Sequence, residues 1–211
     1  MNKGDLRAQF LALLNRDDCT QAQADVFLEG AMSRLQRTVR LPMMERFFVV
    51  TSDVTDLPIT YIQIPPDYFQ LIDIFVQVPS VSDDLVALAQ APSMRSLLTQ
   101  YPLNGGPLAY TRLGATFQFR GPVPPGSTIT AHYYGEVGEW SDDSDENEFS
   151  ASCPDVVLFG ALSVAGEYFR HDQTPNWEGR YQSYVGELIE QGRDADESAA
   201  GNAAQSPYEE T

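Results

Sequence analysis

The stretch 152–191 allows few structures. Pro154 has a fixed φ and no N–H, both of which suit the first turn of a helix, and Ser152 or Cys153 stands in front of it as a cap. Asp155 follows, where the helix dipole favours a carboxylate. Leu158, Leu162, Ala165 and Phe169 then recur at helical spacing, with Val157, Ala161 and Tyr168 beside them. A second stripe is small: Gly160, Ser163 and Gly166. Glycine costs about 1 kcal/mol against alanine inside a helix, so two in one helix predict another backbone packed close. The sequence His171-Asp172-Gln173-Thr174-Pro175 breaks the helix; Thr174 can cap and Pro175 can open the next one. That helix carries Trp177, Tyr181, Tyr184 or Val185, and Leu188 on one face. A connection this short makes the two helices antiparallel neighbours.

The rest of the chain surrounds this pair. Residues 5–15 read as a short helix with Leu6, Phe10, Leu13 and Leu14 on one face. Thr20 and Gln23 have the spacing of a capping box, and Ala24, Phe27, Leu28, Ala31, Leu35 and Val39 form a long stripe that must end before Pro42. Arg34, Arg37 and Arg40 punctuate its C-terminal part, either as a solvated face or as a basic rim toward an acidic neighbour. From Arg46 the period changes. Runs at 47–51, 59–64 and 71–76 are β-branched and aromatic, bounded by Pro, Asp and Ser. Residues 78–86 read as a polar loop. Residues 92–101 read as a short helix with Met94, Leu97 and Leu98 inward. Asn104-Gly105-Gly106-Pro107 reads as a turn. Strands follow at 108–112, 115–120 and 128–134, the last alternating Ile129, Ala131 and Tyr133 with Thr130, His132 and Tyr134.

The predicted fold is therefore α+β: N-terminal and C-terminal helix pairs fold together as a bundle, with an inserted small antiparallel β-sheet and an acidic C-terminal tail. The segments are 1–41 (helices), 42–138 (β-rich insertion), 139–150 (acidic linker), 151–193 (helix pair) and 194–211 (extended tail). The tail's composition predicts disorder in isolation; were a partner to hold it, Tyr208, next to Pro207, would be its only aromatic anchor.

Formal net charge is −17, which argues against binding a phosphate backbone by charge and fits either solubility or a basic partner. The two cysteines, Cys19 and Cys153, have no metal or disulfide spacing. The polar N-terminus is not a signal peptide, and no apolar run reaches the ~18 residues of a membrane span. Asp143, Asp145 and Asn147 occupy the first, third and fifth places of a calcium loop, but Glu148 and Pro154 stand where Gly and Glu are needed. His132, His171 and Cys153 form no nucleophile motif, and Gly105-Gly106 lacks the features of a phosphate loop. Tyr133, Tyr134, Trp140, Trp177, Tyr181 and Tyr184 could stack bases, yet only Arg170 and Arg180 fall among them, too few interleaved cations for a backbone-tracking groove, so packing is the better assignment. No catalytic, cofactor or metal set is expected.

Three stretches resemble a known family. Pro154 to Leu162, then Tyr168-Phe169-Arg170-His171-Asp172, then Trp177-Glu178-Gly179-Arg180-Tyr181 are similar to the "lllyGAL", "lrdd" and "W..rY" stretches of the head-to-tail adaptor (connector) proteins of tailed bacteriophages. Ile-Pro-Pro-Asp-Tyr-Phe-Gln-Leu-Ile-Asp, at 64–73, resembles their "lPaDflel..l" stretch. The resemblance implies a virion protein of the neck, made in the host cytoplasm. It implies a homo-oligomeric ring of about twelve copies beneath the portal protein, whose C-terminal tail reaches onto the portal. Tail or nozzle proteins would attach below, and genomic DNA would pass through the lumen without specific binding. An acidic channel wall would repel its phosphates. Gly160, Ser163, Gly166, Arg34, Arg37, Arg40, Pro207 and Tyr208 are then candidate portal or neighbour contacts. On this view Gly160→Leu blocks assembly and leaves the monomer largely folded. A tail terminator, a nozzle subunit, or a small acidic enzyme or ligand-binding module remain alternatives.

Overall fold

The computed structural model describes residues 1–79, 82–103, 107–138 and 140–203, with the backbone alone at 82, 83 and 195–203. The helices are α1 (Lys3–Leu14), α2 (Gln21–Thr38), α3 (Met94–Gln100), α4 (Glu148–Ser152), α5 (Pro154–Phe169) and α6 (Thr174–Ala203). The strands are β1 (Glu45–Thr51), β2 (Ile59–Gln63), β3 (Tyr68–Val78), β4 (Ser82–Ala87), β5 (Ala89–Gln90), β6 (Ala109–Leu113), β7 (Thr116–Val123) and β8 (Thr128–Gly135). The chain divides into a helical unit, Met1–Met44 with Val137–Thr211, and a β unit, Glu45–Glu136. Among the described residues, no helix is long and apolar enough to cross a membrane.

In the helical unit, α5 contacts α1, α2, α4 and α6. It is apolar nearly all round, as a helix enclosed by others must be: Val156, Val157, Leu158, Ala161, Leu162 and Ala165 are buried. Pro154 is its first residue, and Cys153 precedes it without a side-chain cap. Arg170 ends it in the left-handed region at φ 54°. Four residues later α6 turns back with Trp177, Tyr181 and Val185 inward. The Thr20–Gln23 capping box starts α2, and Ala24, Phe27, Leu28, Ala31 and Leu35 line its buried face. Two features depart from expectation. The acidic linker runs into a helix, α4, because Asn147 and Ser150 form a capping box and Phe149 is wholly buried. And α6 continues past Asp194, where an extended tail was expected, to Ala203; alanine-rich sequence there favours continued helix.

The β unit holds two four-stranded sheets where one was expected, in the orders β1-β8-β3-β4 and β2-β7-β6-β5. Both contribute to one apolar core: Ile74, Val76, Ile129 and Ala131 from the first, Ile62, Tyr110, Phe117 and Val123 from the second. The alternation read at 129–134 holds, with Ile129, Ala131 and Tyr133 buried. Residues 78–86, expected as a loop, contain β4, which pairs antiparallel with β3 through Phe75–Ala87, Val76–Val86 and Gln77–Leu85. As an edge strand, β4 tolerates the charges that made the segment look like a loop. The next residues, β5, pair parallel with β6 in the second sheet. In α3 only Leu97 is inward, in a small apolar cluster with Ala91, Ala109 and the partly buried Tyr101; Met94 and Leu98 are exposed. Asn104, Gly105 and Gly106 lie outside the described residues.

Candidate functional site

The small stripe of α5 is filled from within the chain. A Cβ on Gly160 would stand 3.0 Å from the Tyr181 ring and 3.1 Å from the Ala31 Cβ. On Gly166 it would meet Thr174 and, at 3.2 Å, the Trp177 ring. Ser163 is 1% exposed. The space beside the glycines is filled by side chains of α2 and α6, where another backbone was expected, and all three residues are buried within the chain, so none of them presents a surface.

Ser163 belongs to a polar cluster that ties three helices. Its hydroxyl donates to Glu178 Oε2 at 2.6 Å. Arg34 reaches the same carboxylate with both terminal nitrogens, at 2.9 Å to Oε2 and 2.6 Å to Oε1, and Gln182 donates to Oε1 at 2.7 Å. The Arg34 guanidinium also lies 4.4 Å from the centre of the Tyr181 ring. Such a bidentate, charge-assisted pair is stronger than an ordinary exposed ion pair. Arg34 first, with help from Gln182 and Ser163, pulls the Glu178 carboxyl down to about 2. The other two arginines differ. Arg40 caps α2 by donating to the carbonyls of Gln36 and Val39. Arg37 is exposed and donates to the Ser33 carbonyl. Pro207 and Tyr208 lie outside the described residues.

The acidic loop is a brace for α1. The Asp143 and Asp145 carbonyls accept from Gly4 and Lys3, two of the backbone donors that a helix start leaves open. Arg7 bridges Asp143 and Asp25, and the nearly buried Lys3 ammonium donates to Glu29 and to the Trp140 carbonyl. Asp145 Oδ2 accepts from the backbone of Ser141 and Asp142, and Asn147 caps α4. The residues at calcium-loop positions are thus engaged by the protein itself, and the described residues hold no cluster able to bind a metal. Glu139 lies outside them.

Cys153 is buried, and each of the two histidines has a local partner. Burial pushes the Cys153 thiol up to about 12, with Asp155 adding to the shift, the reverse of activation. His132 in the β unit pairs with Glu45 at 2.8 Å and stacks on Phe47; His171 in the helical unit stacks on Trp177. Trp140, Trp177, Tyr181 and Tyr133 are buried, and Tyr134 and Tyr184 are half-buried, so these aromatics pack rather than offer stacking platforms.

Two apolar features are exposed. On the helical unit, Val26 and Tyr168 flank a shallow cleft with Ala22, Gln23 and Phe27. On the β unit, Phe47 and Val49 of β1 and Leu85 and Val86 of β4 are all more than half exposed. Sequence reasoning missed these. The signal was the uninterrupted Phe47-Phe48-Val49-Val50, which a strand with one buried face does not require.

None of the curated proteins matches the chain. A family model described as SU10 adaptor protein matches residues 1–206. That match takes in the whole β unit and nearly all of the helical unit, on a chain whose α5–α6 pair already resembles phage head-to-tail adaptors, and the chain belongs to the SU10 adaptor protein family.

Proposed function

We propose that this chain is a structural ring subunit of a phage neck, seated beneath the portal, where it continues the DNA channel and presents the attachment surface for the tail. The observation that carries this reading is the adaptor-family match over residues 1–206, which takes in both compact units rather than one borrowed module. An adaptor works by contact with other phage structural components, and the charge of −17 suits a wall along which DNA slides without sticking. Membership in this family, with the Cys153 thiol buried and shifted away from activation, favours a structural over a catalytic role. Of the candidate contacts, exposed Arg37 faces an acidic surface of a neighbour, and the segment with Pro207 and Tyr208 reaches the portal. Gly160, Ser163 and Gly166, being filled internally, serve the fold of each subunit instead.

Mass determination of the full chain, alone and after mixing with the portal protein of the same phage, tests the reading. The expected result is a monomer that becomes a ring of fixed, high copy number on the portal. A mass indifferent to the portal overturns it.

A further inference from the structure

The β unit has two unlike sheet edges. Among the described residues β1 pairs only with β8, and β4 pairs in its sheet only with β3. Each strand therefore turns a row of backbone donors and acceptors outward. Proteins blunt such edges with proline, lysine, bulges or very short strands. The middle of β1 uses none of these. It reads Glu-Arg-Phe-Phe-Val-Val-Thr, and it follows β8 from Glu45–Tyr134 to Thr51–Thr128 without a register shift. Phe47 is 67% exposed and Val49 55%. A flat apolar edge of this length is a template for a further strand. On the opposite edge Leu85 is 61% and Val86 52% exposed.

Strand direction says how the two edges fit. Every neighbouring pair in β1-β8-β3-β4 is antiparallel, so β1 and β4 run in opposite directions. When a second sheet is set beside the first in the same sense, β4 of one lies antiparallel to β1 of the next, and the alternation continues across the boundary. The two edges are different strands, so the contact is heterologous and repeats until a ring closes. A two-fold contact through two β1 strands would leave β4 uncovered.

Facing fixes the register. Leu85 and Ala87 share a face with Gln77 and Phe75, their partners on β3. Phe75 and Val49 both pair with Thr130, so Val49 is on that face too. The register that keeps this face continuous and sets apolar against apolar places Val49 opposite Leu85, Phe48 opposite Val86 and Phe47 opposite Ala87. The contact is small. Seven residues of strand span about 23 Å, which covers only part of the ~800 Å² per partner of a stable interface. The edges thus do not hold two free copies together; they join once copies are held side by side.

We propose that β1 of one copy pairs antiparallel with β4 of the next, with Val49 opposite Leu85, so that the four-stranded sheets join into one continuous belt around the ring. This rests on the ring reading above and names the surface that closes it.

The test uses the full chain carrying both Val49→Cys and Leu85→Cys, assembled on the portal, oxidised, and run on a denaturing gel without reductant. The assembly's mass is measured in parallel. Directly opposed strand residues bring two Cβ atoms close enough for a disulfide, and the native Cys19 and Cys153 are buried. The expected result is a covalent ladder rising to the ring's copy number, on the portal only and absent from either single variant. A ring of normal mass without a ladder overturns the pairing and leaves the ring reading standing. Crosslinked dimers from Val49→Cys alone overturn it in favour of a two-fold contact. Failure of the unsubstituted chain to form any ring overturns both. As a second variant, Val49→Lys places a charge on an exposed edge position; an unchanged melting curve with loss of the ring is expected, and normal ring yield overturns the pairing.

Discussion

The helical unit and the β unit solve opposite problems. In the helical unit, features that looked like contact surfaces are consumed internally. Gly160 faces Tyr181 and Ala31, Gly166 faces Thr174 and Trp177, Arg34 holds Glu178, and the acidic loop braces the start of α1. In the β unit the core between the sheets is closed, but both edges of one sheet carry exposed apolar side chains. A charged residue inside a unit therefore says little about partners here, whereas an apolar residue on a sheet edge says a good deal. The difference teaches that this fold keeps the work of folding and the work of docking on separate elements.

The sharpest way to break that contrast is Gly160→Leu. The side chain would enter a space where even a Cβ is 3.0 Å from the Tyr181 ring. Overpacking of this kind costs about 1–3 kcal/mol and occasionally more. The expected outcome is a large drop in the melting temperature of the isolated monomer, rather than the folded, assembly-deficient monomer that the small stripe alone suggested. A monomer that melts normally would return the stripe to the surface and erase the contrast.

The Arg34–Glu178 clamp is the next test. Glu178 is held near 2, below its ordinary value of about 4.3. Its contribution is therefore fully present above pH ~4.3 and is lost as pH falls toward about 2. The carboxylate is partly solvated, so Glu178→Gln should cost only about 1 kcal/mol at neutral pH. For a chain of this size that is roughly 2–4 °C in melting temperature. Thermal melts of the two proteins from pH 7 to pH 2 should converge on the acid side. A gap that stays constant, or widens in acid, would show that the clamp does not carry the difference.

Local chemistry made much of the helical unit legible. Pro154, the Thr20–Gln23 capping box and the break before Pro175 punctuate helices through neighbours in sequence, and the helices follow within a few residues. What stayed hidden depends on distant residues. Two glycines announce that something comes close but not what, and the packing shows side chains of α2 and α6 there, where a backbone was expected. One sheet could not be told from two because strand runs carry no label of their partners. The polar start of β4 made the segment look like a loop, although residues 85–87 pair in register with Gln77 to Phe75, and an edge strand tolerates charge. α4 could be read only by seeing that Asn147 and Ser150 cap across a loop that its acids had already claimed. The adaptor resemblance reached the family through the α5–α6 motif, and it had no term for the β1 and β4 edges.

The smallest expected effect sharpens the contrast most. Leu85→Thr keeps β propensity and removes apolar surface from a side chain that is 61% exposed. Exposed positions away from caps and cores change stability by less than about 0.5 kcal/mol, so the monomer's melt should not move measurably. Ile74, wholly buried on the neighbouring strand, provides the scale: Ile74→Ala removes core contacts and should cost about 2–5 kcal/mol. If Leu85→Thr were as damaging as that, Leu85 would belong to the core and the edge would not be spare surface. If it is silent in the monomer and lowers the yield of rings on the portal, the only role left to its exposed side chain is contact with another molecule. The apolar edge is then retained for assembly, since the fold does not need it.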